Sequence, residues 1–164
     1  NQKLGEVYEK RRMFFGSAIS HEKVADLCVS RQEKVKSFFK AIDNYIKSGY
    51  FDRADETTKK SLQEATSQER TEILRTLKEF YKHEAERGIK ENKRSSAVKV
   101  YEKMLEMNSV PIAEKAEIKE KLLKLYLTLG MMPQYNKFKG RTFTEQKQKE
   151  PEREEVEGLE FLYK

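Results

Sequence analysis

The sequence is poor in the residues that stabilise small extracellular proteins or carry membrane anchors. It has no tryptophan and a single cysteine, Cys28, so neither an intramolecular disulfide nor a cluster of several thiolates can form from this chain alone. One cysteine favours an intracellular, reducing compartment, and we expect the cytoplasm or the mitochondrial matrix. No apolar run approaches the roughly 18 residues of a membrane span, so we expect no membrane insertion. Because the sequence begins at Asn1, we expect a fragment or a processed form.

Signals for β-structure and for helix breaking are also scarce. The chain has only three prolines, none of them before Pro111, and it contains neither Asn-Gly nor Asp-Gly, the dipeptides typical of tight hairpins. No run of six alternating β-branched residues appears either. The composition, 37% hydrophobic and 38% charged, suits amphipathic helices, and we predict an all-α fold.

The residue sets of common catalytic sites are missing as well. The two histidines, His21 and His83, form no HExxH or His-x3-His motif, and the seven glycines form neither GxGxxG nor GxxxxGK[ST]. Cys28 has no histidine partner that the sequence can place beside it, so a small core residue is the simpler interpretation. We therefore predict a non-enzymatic protein with no metal, no cofactor and no small-molecule substrate.

Hydrophobic periodicity predicts eight helical segments. The first ends at Gly16, a short second one is capped by Ser20, and the fourth is so polar that we expect it on the outside of the fold. Thr66 and Ser67 precede an acidic first turn typical of a helix start, and Ser95 or Ser96 is predicted to cap the sixth helix. The approximate ranges are 2–15, 20–30, 31–48, 51–65, 67–92, 96–108, 112–129 and 134–138.

Two helix ends share a pattern. Tyr45 precedes Gly49 by the same spacing as Tyr126 precedes Gly130, and a second apolar run follows each glycine. A glycine in the left-handed conformation closes a helix without a Cβ penalty, so each pattern predicts a helical hairpin. Asn92, the next-best residue for that conformation, marks a weaker copy between them. The sequence thus predicts a short, irregular α-solenoid of about three helical hairpins over residues 1–139, followed by a flexible acidic C-terminal tail, 140–164.

Residues 97–111 resemble the second helix of a pentatricopeptide repeat, with Ala97, Tyr101, Met104, Asn108 and Pro111 at that family's spacing. The segments around Gly49 and Gly130 are similar to the hairpin turn shared by pentatricopeptide and tetratricopeptide repeats, with Ala54 and Tyr135 at the start of the second helix. Together the matching segments cover about half of the chain. The resemblance implies a stack of helical hairpins; pentatricopeptide repeats bind RNA and tetratricopeptide repeats bind peptides.

The net charge of +6 is unevenly distributed along the chain. Residues 1–50 hold 10 basic and 6 acidic side chains, whereas residues 151–164 hold 2 basic and 5 acidic ones. Residues 135–143 interleave three cations with three aromatic rings, a composition that suits base stacking and phosphate binding. The same rings could instead anchor the last helix while the cations face water. Candidate RNA contacts are Lys137, Phe138, Lys139, Arg141, Phe143, Lys93 and Arg94, with Lys10, Arg11, Arg12 and Lys99 as further basic residues.

The C-terminus combines an acidic run, 152–160, with an apolar cluster formed by Leu159, Phe161, Leu162 and Tyr163. In one interpretation the apolar cluster docks into a partner's groove while the acidic run steers it to a basic surface. In the other, the tail folds back onto the basic body of its own chain. The function we predict is a scaffold or adaptor that binds a protein partner, and the alternative is a pentatricopeptide-like RNA-binding protein or ribonucleoprotein subunit.

Overall fold

The computed structural model of the chain describes the backbone of residues 2–143 and the side chains of residues 12–143. Over that range it contains seven α-helices and no strand, which confirms the all-α prediction. None of these helices is both long and apolar enough to cross a membrane. The helices are α1 (Gln2–Leu27), α2 (Arg31–Ser48), α3 (Phe51–Glu64), α4 (Ser67–Lys90), α5 (Arg94–Glu106), α6 (Ile112–Thr128) and α7 (Met132–Lys139).

The helices with the clearest apolar stripes form at the predicted positions. In α2, the residues Phe38, Ile42, Tyr45 and Ile46 recur at helical spacing and are each at most 1% exposed. The start of α4 is a capping box, because the Glu69 backbone N–H donates to Thr66 Oγ1 while the Thr66 N–H donates to the Glu69 carboxylate. Each helix packs against the next one in the chain, and α2 also packs against α4.

Three helix ends have the same backbone geometry. Gly49, Asn92 and Gly130 have φ angles of 81°, 59° and 69°, which confirms the predicted left-handed residues. At each one the N–H of that residue donates to the carbonyl three positions back, and the following N–H donates to the carbonyl five positions back. This is the Schellman arrangement, and in all three turns the next helix begins two residues after the left-handed residue. The turns therefore define three hairpins: α2–α3, α4–α5 and α6–α7.

The middle hairpin has a glycine where the other two have tyrosine. The carbonyls that close the three turns belong to Tyr45, Gly88 and Tyr126. A Cβ added at Gly88 would lie 3.3 Å from the Cβ of Ala97, so the missing side chain lets α4 and α5 approach closely. Ala97 is completely buried at this contact.

The prediction that Gly16 ends the first helix is wrong. The helix α1 continues through Gly16 to Leu27, and Ser20, predicted as a cap, lies inside it with its hydroxyl donating to the Gly16 carbonyl at 3.0 Å. A glycine costs a helix only about 1 kcal/mol. Packing along α2 outweighs that cost, so the helix continues.

Two further predictions are corrected. The helix α3 does not lie wholly on the outside, because one of its faces, with Ala54, Thr57, Thr58 and Ser61, is buried. These side chains are small, so a neighbouring helix can approach closely even though three of them are polar. The helix α5 begins at Arg94, before the predicted caps Ser95 and Ser96, since the left-handed turn at Asn92 leads directly into its first turn.

Candidate functional site

The aromatic residues near the end of the described chain anchor it to the helices. Tyr135, Phe138 and Phe143 are partly buried against the hydrophobic core. The Arg141 guanidinium lies between two of these rings, 5.4 Å from the centroid of Phe138 and 5.4 Å from that of Phe143. Phe138 also packs on Tyr126, with centroids 5.7 Å apart. Because these rings contact the core and Arg141, little of their surface is available to stack on bases.

Two lysines of α6, which the sequence did not single out, join this group. Lys119 Nζ donates to the carbonyl oxygens of Lys139 and Arg141, at 3.0 and 2.6 Å. Burial and the nearby Arg141 charge lower the pKa of Lys115. We call Lys115, Lys119, Lys139 and Arg141 the basic cluster. Within residues 12–143 none of the four forms an ion pair with a carboxylate.

The other candidate RNA contacts are spread over the surface. Lys137 is exposed on α7, next to the basic cluster in sequence. Lys93 and Arg94 lie at the turn between α4 and α5, where Lys93 Nζ pairs with Glu91 at 2.5 Å. Arg12 and Lys99 are exposed on α1 and α5. The side chains of Lys10 and Arg11 and the tail residues Leu159, Phe161, Leu162 and Tyr163 lie outside the part of the chain that the structure describes.

A cleft of about 560 Å³ lies between α2 and α4. Its lining carries more negative than positive groups: the carboxylates are Asp43, Glu79, Glu84 and Glu86, and the lysines are Lys47 and Lys82. Lys47 and Asp43 neutralise each other in an ion pair at 2.5 Å, which leaves Glu79 and Glu86 against Lys82 at the cleft surface. Phe80 supplies an apolar wall, and its ring meets Phe39 edge to face at 6.3 Å. The cleft thus combines acidic groups with an aromatic surface.

Glu84 forms the buried end of this cleft. One of its carboxylate oxygens accepts from Arg87 at 2.7 Å, while the other, Oε2, is buried without a hydrogen-bond partner in the described residues. Burial raises the pKa of the carboxyl group, and the Arg87 charge only partly opposes this effect. A buried carboxylate with one oxygen left without a partner costs stability.

Glu22 of α1 is the best-connected buried charge. Its carboxylate accepts from the Tyr45 hydroxyl and from Lys60 Nζ, both at 2.7 Å, and Arg53 lies 3.8 Å away. It therefore joins α1 to the first hairpin. In the same way the Tyr126 hydroxyl of α6 donates to Glu102 of α5. Tyr45 and Tyr126, the two tyrosines of the sequence pattern, thus each donate a hydrogen bond to a glutamate on the helix before their hairpin.

The described residues hold no group of three or more histidine, cysteine, aspartate and glutamate side chains arranged to bind a metal ion. His21 lies within α1, and His83 lies at the cleft on α4. Cys28 is half-buried just after α1.

No protein-family model matches this chain, and no curated protein or solved structure matches it at a significant level. The resemblance to pentatricopeptide and tetratricopeptide repeats therefore remains a prediction from the sequence pattern.

Proposed function

We propose that the chain is a non-enzymatic helical-repeat scaffold or adaptor that binds a protein partner. In this proposal the hairpins α2–α3, α4–α5 and α6–α7 form a short, irregular α-solenoid, preceded by α1 and followed by a tail, 140–164. The observation that supports it most directly is the threefold recurrence of one turn geometry at Gly49, Asn92 and Gly130.

Ion pairs between successive hairpins support the solenoid. Arg31 at the start of α2 pairs with Glu69 at the start of α4, and Lys78 of α4 pairs with Glu114 at the start of α6. These pairs join first helices to first helices. Lys103 of α5 pairs with Asp55 of α3, which joins second helices in the same way. Stacking of equivalent helices is the arrangement by which helical repeats build an extended binding surface.

The partner surface we propose is the cleft between α2 and α4, together with the apolar tail cluster of Leu159, Phe161, Leu162 and Tyr163. The cleft lies between the first helices of two successive hairpins, and its acidic lining suits a basic segment of a partner. The tail cluster supplies apolar groups that can enter a groove on that partner. A reducing compartment, the cytoplasm or the mitochondrial matrix, is proposed because Cys28 is the only cysteine.

The test begins with capture of partners by the full chain from lysate treated with nuclease, followed by identification and purification of the partner. Binding is then measured by calorimetry with a cleft variant, Glu79→Lys/Glu86→Lys. Both glutamates are exposed on α4 and neither forms an ion pair within residues 12–143, so the fold should tolerate the change. We expect the variant to weaken binding at least about tenfold, which corresponds to roughly 1.4 kcal/mol.

The matched control is Glu106→Lys/Glu120→Lys, which makes the same charge change at exposed positions of α5 and α6. A tail variant, Leu159→Ala/Phe161→Ala/Leu162→Ala, tests the second half of the surface. A partner whose affinity is the same for the wild type, the cleft variant and the tail variant would show that the proposed surface is wrong. Capture that disappears on nuclease treatment would point to RNA instead.

RNA binding is the second candidate function, and the basic cluster is the observation that favours it. Lys119 binds the backbone of Lys139 and Arg141 and the Arg141 charge acts on Lys115, so the basic cluster lies at the end of the third hairpin, with Lys137 close in sequence on α7. Cations without carboxylate partners in the described residues can neutralise the phosphates of a single strand. The pentatricopeptide resemblance of residues 97–111 points in the same direction.

If RNA is the ligand, a single-stranded oligonucleotide should bind with an affinity that falls steeply with salt. The slope of log K against log salt should be about −0.7 for each phosphate contacted. Lys137→Glu/Lys139→Glu/Arg141→Glu should weaken binding at least about tenfold in a fluorescence anisotropy titration. The control Lys36→Glu/Lys40→Glu/Lys59→Glu changes the net charge equally at exposed positions of α2 and α3. Equal losses in both variants would show that only net charge matters.

A further inference from the structure

The basic cluster has an electrostatic arrangement that calls for a negatively charged group. Lys119 uses its ammonium group to bind the carbonyl oxygens of Lys139 and Arg141, which holds α6 against the segment that carries Arg141. Lys115 is desolvated and repelled by Arg141. Like charges held close cost free energy unless an anion compensates them. Within residues 12–143 no carboxylate pairs with any of the four.

Beyond a linker, 144–149, that carries two lysines and one glutamate, the chain enters its most acidic stretch. The described part ends at Phe143, whose ring lies 5.4 Å from the Arg141 guanidinium. Residues 150–160 contain a single cation, Arg153, and six carboxylates: Glu150, Glu152, Glu154, Glu155, Glu157 and Glu160. The charge of this segment is therefore opposite to that of the cluster, and the segment begins seven residues after Phe143.

The connection is long enough for the acidic segment to return. Seven residues can span up to roughly 25 Å when extended, and the segment has only to reach cations beside its own point of departure. A short tether of this kind gives an effective concentration on the order of millimolar. An acidic peptide on another molecule would need a comparable free concentration to compete, so the chain's own segment is the favoured occupant.

We propose that the acidic segment 150–160 binds the basic cluster of its own chain and competes there with other polyanions. The contacts are ion pairs between tail carboxylates and the ammonium and guanidinium groups of Lys115, Lys139 and Arg141. The apolar tail cluster lies at the end of this segment: Leu159 is inside it, and Phe161, Leu162 and Tyr163 follow directly. A bound acidic segment would therefore hold the cluster near the third hairpin. The proposal does not depend on which partner the scaffold binds.

Paramagnetic relaxation in the full chain tests this contact. A spin label is attached at Gly158→Cys in a Cys28→Ser background, and broadening is recorded at the amides of residues 115–119 and 139–143. The tether alone brings the spin label near the basic cluster and causes some broadening. The quantity that tests the proposal is therefore the difference in broadening between matched samples. We expect the broadening to fall to the level that the tether alone produces, both in 1 M salt, where the Debye length is about 3 Å, and in Lys139→Glu/Arg141→Glu.

Charge exchange makes the test specific. Adding Glu154→Lys/Glu155→Lys to Lys139→Glu/Arg141→Glu should restore part of the broadening, because the exchanged positions again carry opposite charges. The matched control Lys121→Glu/Lys124→Glu changes exposed lysines of α6 outside the cluster and should leave the broadening unchanged. Single-stranded RNA added to the wild type should reduce the broadening if both ligands use the cluster.

Three results would overturn the proposal. The first is equal broadening in the wild type and in Lys139→Glu/Arg141→Glu. The second uses a mixture of spin-labelled chains and isotope-enriched chains that carry no label. Broadening that arises only between different copies in this mixture would show that the tail binds another copy and not its own chain. The third is RNA bound to the basic cluster of the wild type with the broadening unaltered, since one set of cations cannot pair with both.

Discussion

Replacing Glu22 by alanine is expected to lower the free energy of unfolding by about 2–3 kcal/mol. The carboxylate is 8% exposed and accepts two hydrogen bonds, from Tyr45 and Lys60. Hydrogen bonds to charged groups contribute roughly 1.5–3 kcal/mol each, and the half-exposed Lys60 can recover part of its loss from water. The buried Tyr45 hydroxyl would be left without its acceptor. Urea unfolding followed by circular dichroism measures the change.

A matched control separates this network from the mere loss of a glutamate. Glu86→Ala removes an exposed glutamate of α4 and should change stability by less than about 0.5 kcal/mol. Tyr45→Phe removes one of the two hydrogen bonds and should lower the free energy of unfolding by about 1–2 kcal/mol. The double variant Tyr45→Phe/Glu22→Ala should lose less than the sum of the two single losses, because both variants remove the same bond. If Glu22→Ala and Glu86→Ala were equally stable, α1 would not be held through Glu22.

The same network predicts how stability depends on pH. Burial raises the pKa of Glu22, but the hydrogen bonds from Lys60 and Tyr45 and the nearby charges outweigh it, so the pKa lies below its usual 4.5. Its contribution to stability is present above pH 4.5 and is lost as the pH falls through the lowered pKa. Burial and the Glu22 carboxylate raise the pKa of Tyr45 from 10.0 to about 12. That contribution is present below pH 10.0 and is lost as the pH rises toward 12.

Sequence reasoning succeeded where local chemistry decides the structure. The bounds of α2 follow from one uninterrupted apolar stripe and from Gly49, and the structure places both helix ends at the predicted residues. Asn92 was identified only by analogy with the two glycines, yet it has the same turn hydrogen bonds. Left-handed residues are few, so a pattern that requires one is informative.

The failures have a common cause, which is packing between distant parts of the chain. Gly16 looks like a helix end in isolation, but contacts with α2 carry α1 past it. Thr57 and Ser61 look like surface residues, although both are buried in the structure. Lys115 and Lys119 lie in an α6 surface rich in glutamate and lysine, and only the return of α7 brings them to Arg141, 22 residues after Lys119. No local pattern could have selected these two lysines.

The second large effect is expected at the hairpin turns. Gly49→Val and Gly130→Val should each lower the free energy of unfolding by about 1–3 kcal/mol, because a β-branched residue is strongly disfavoured at φ angles of 81° and 69°. No atom lies within 4 Å of the Cβ position at either glycine, so the cost comes from the backbone and not from a clash. The turns lie in different hairpins, so the double variant should lose about the sum, roughly 2–6 kcal/mol. Thermal and urea unfolding would both record it.

Gly140→Val is the matched control, because Gly140 also has open space around its Cβ position but a φ of −82°. Valine adopts that angle without strain, so this variant should remain within about 0.5 kcal/mol of the wild type. The difference between the variants at residues 49 and 140 therefore isolates the left-handed backbone from every other effect of adding a side chain. Equal stability of all three single variants would show that the turns at Gly49 and Gly130 relax freely, and the recurrence of one hairpin geometry would then no longer support a helical repeat.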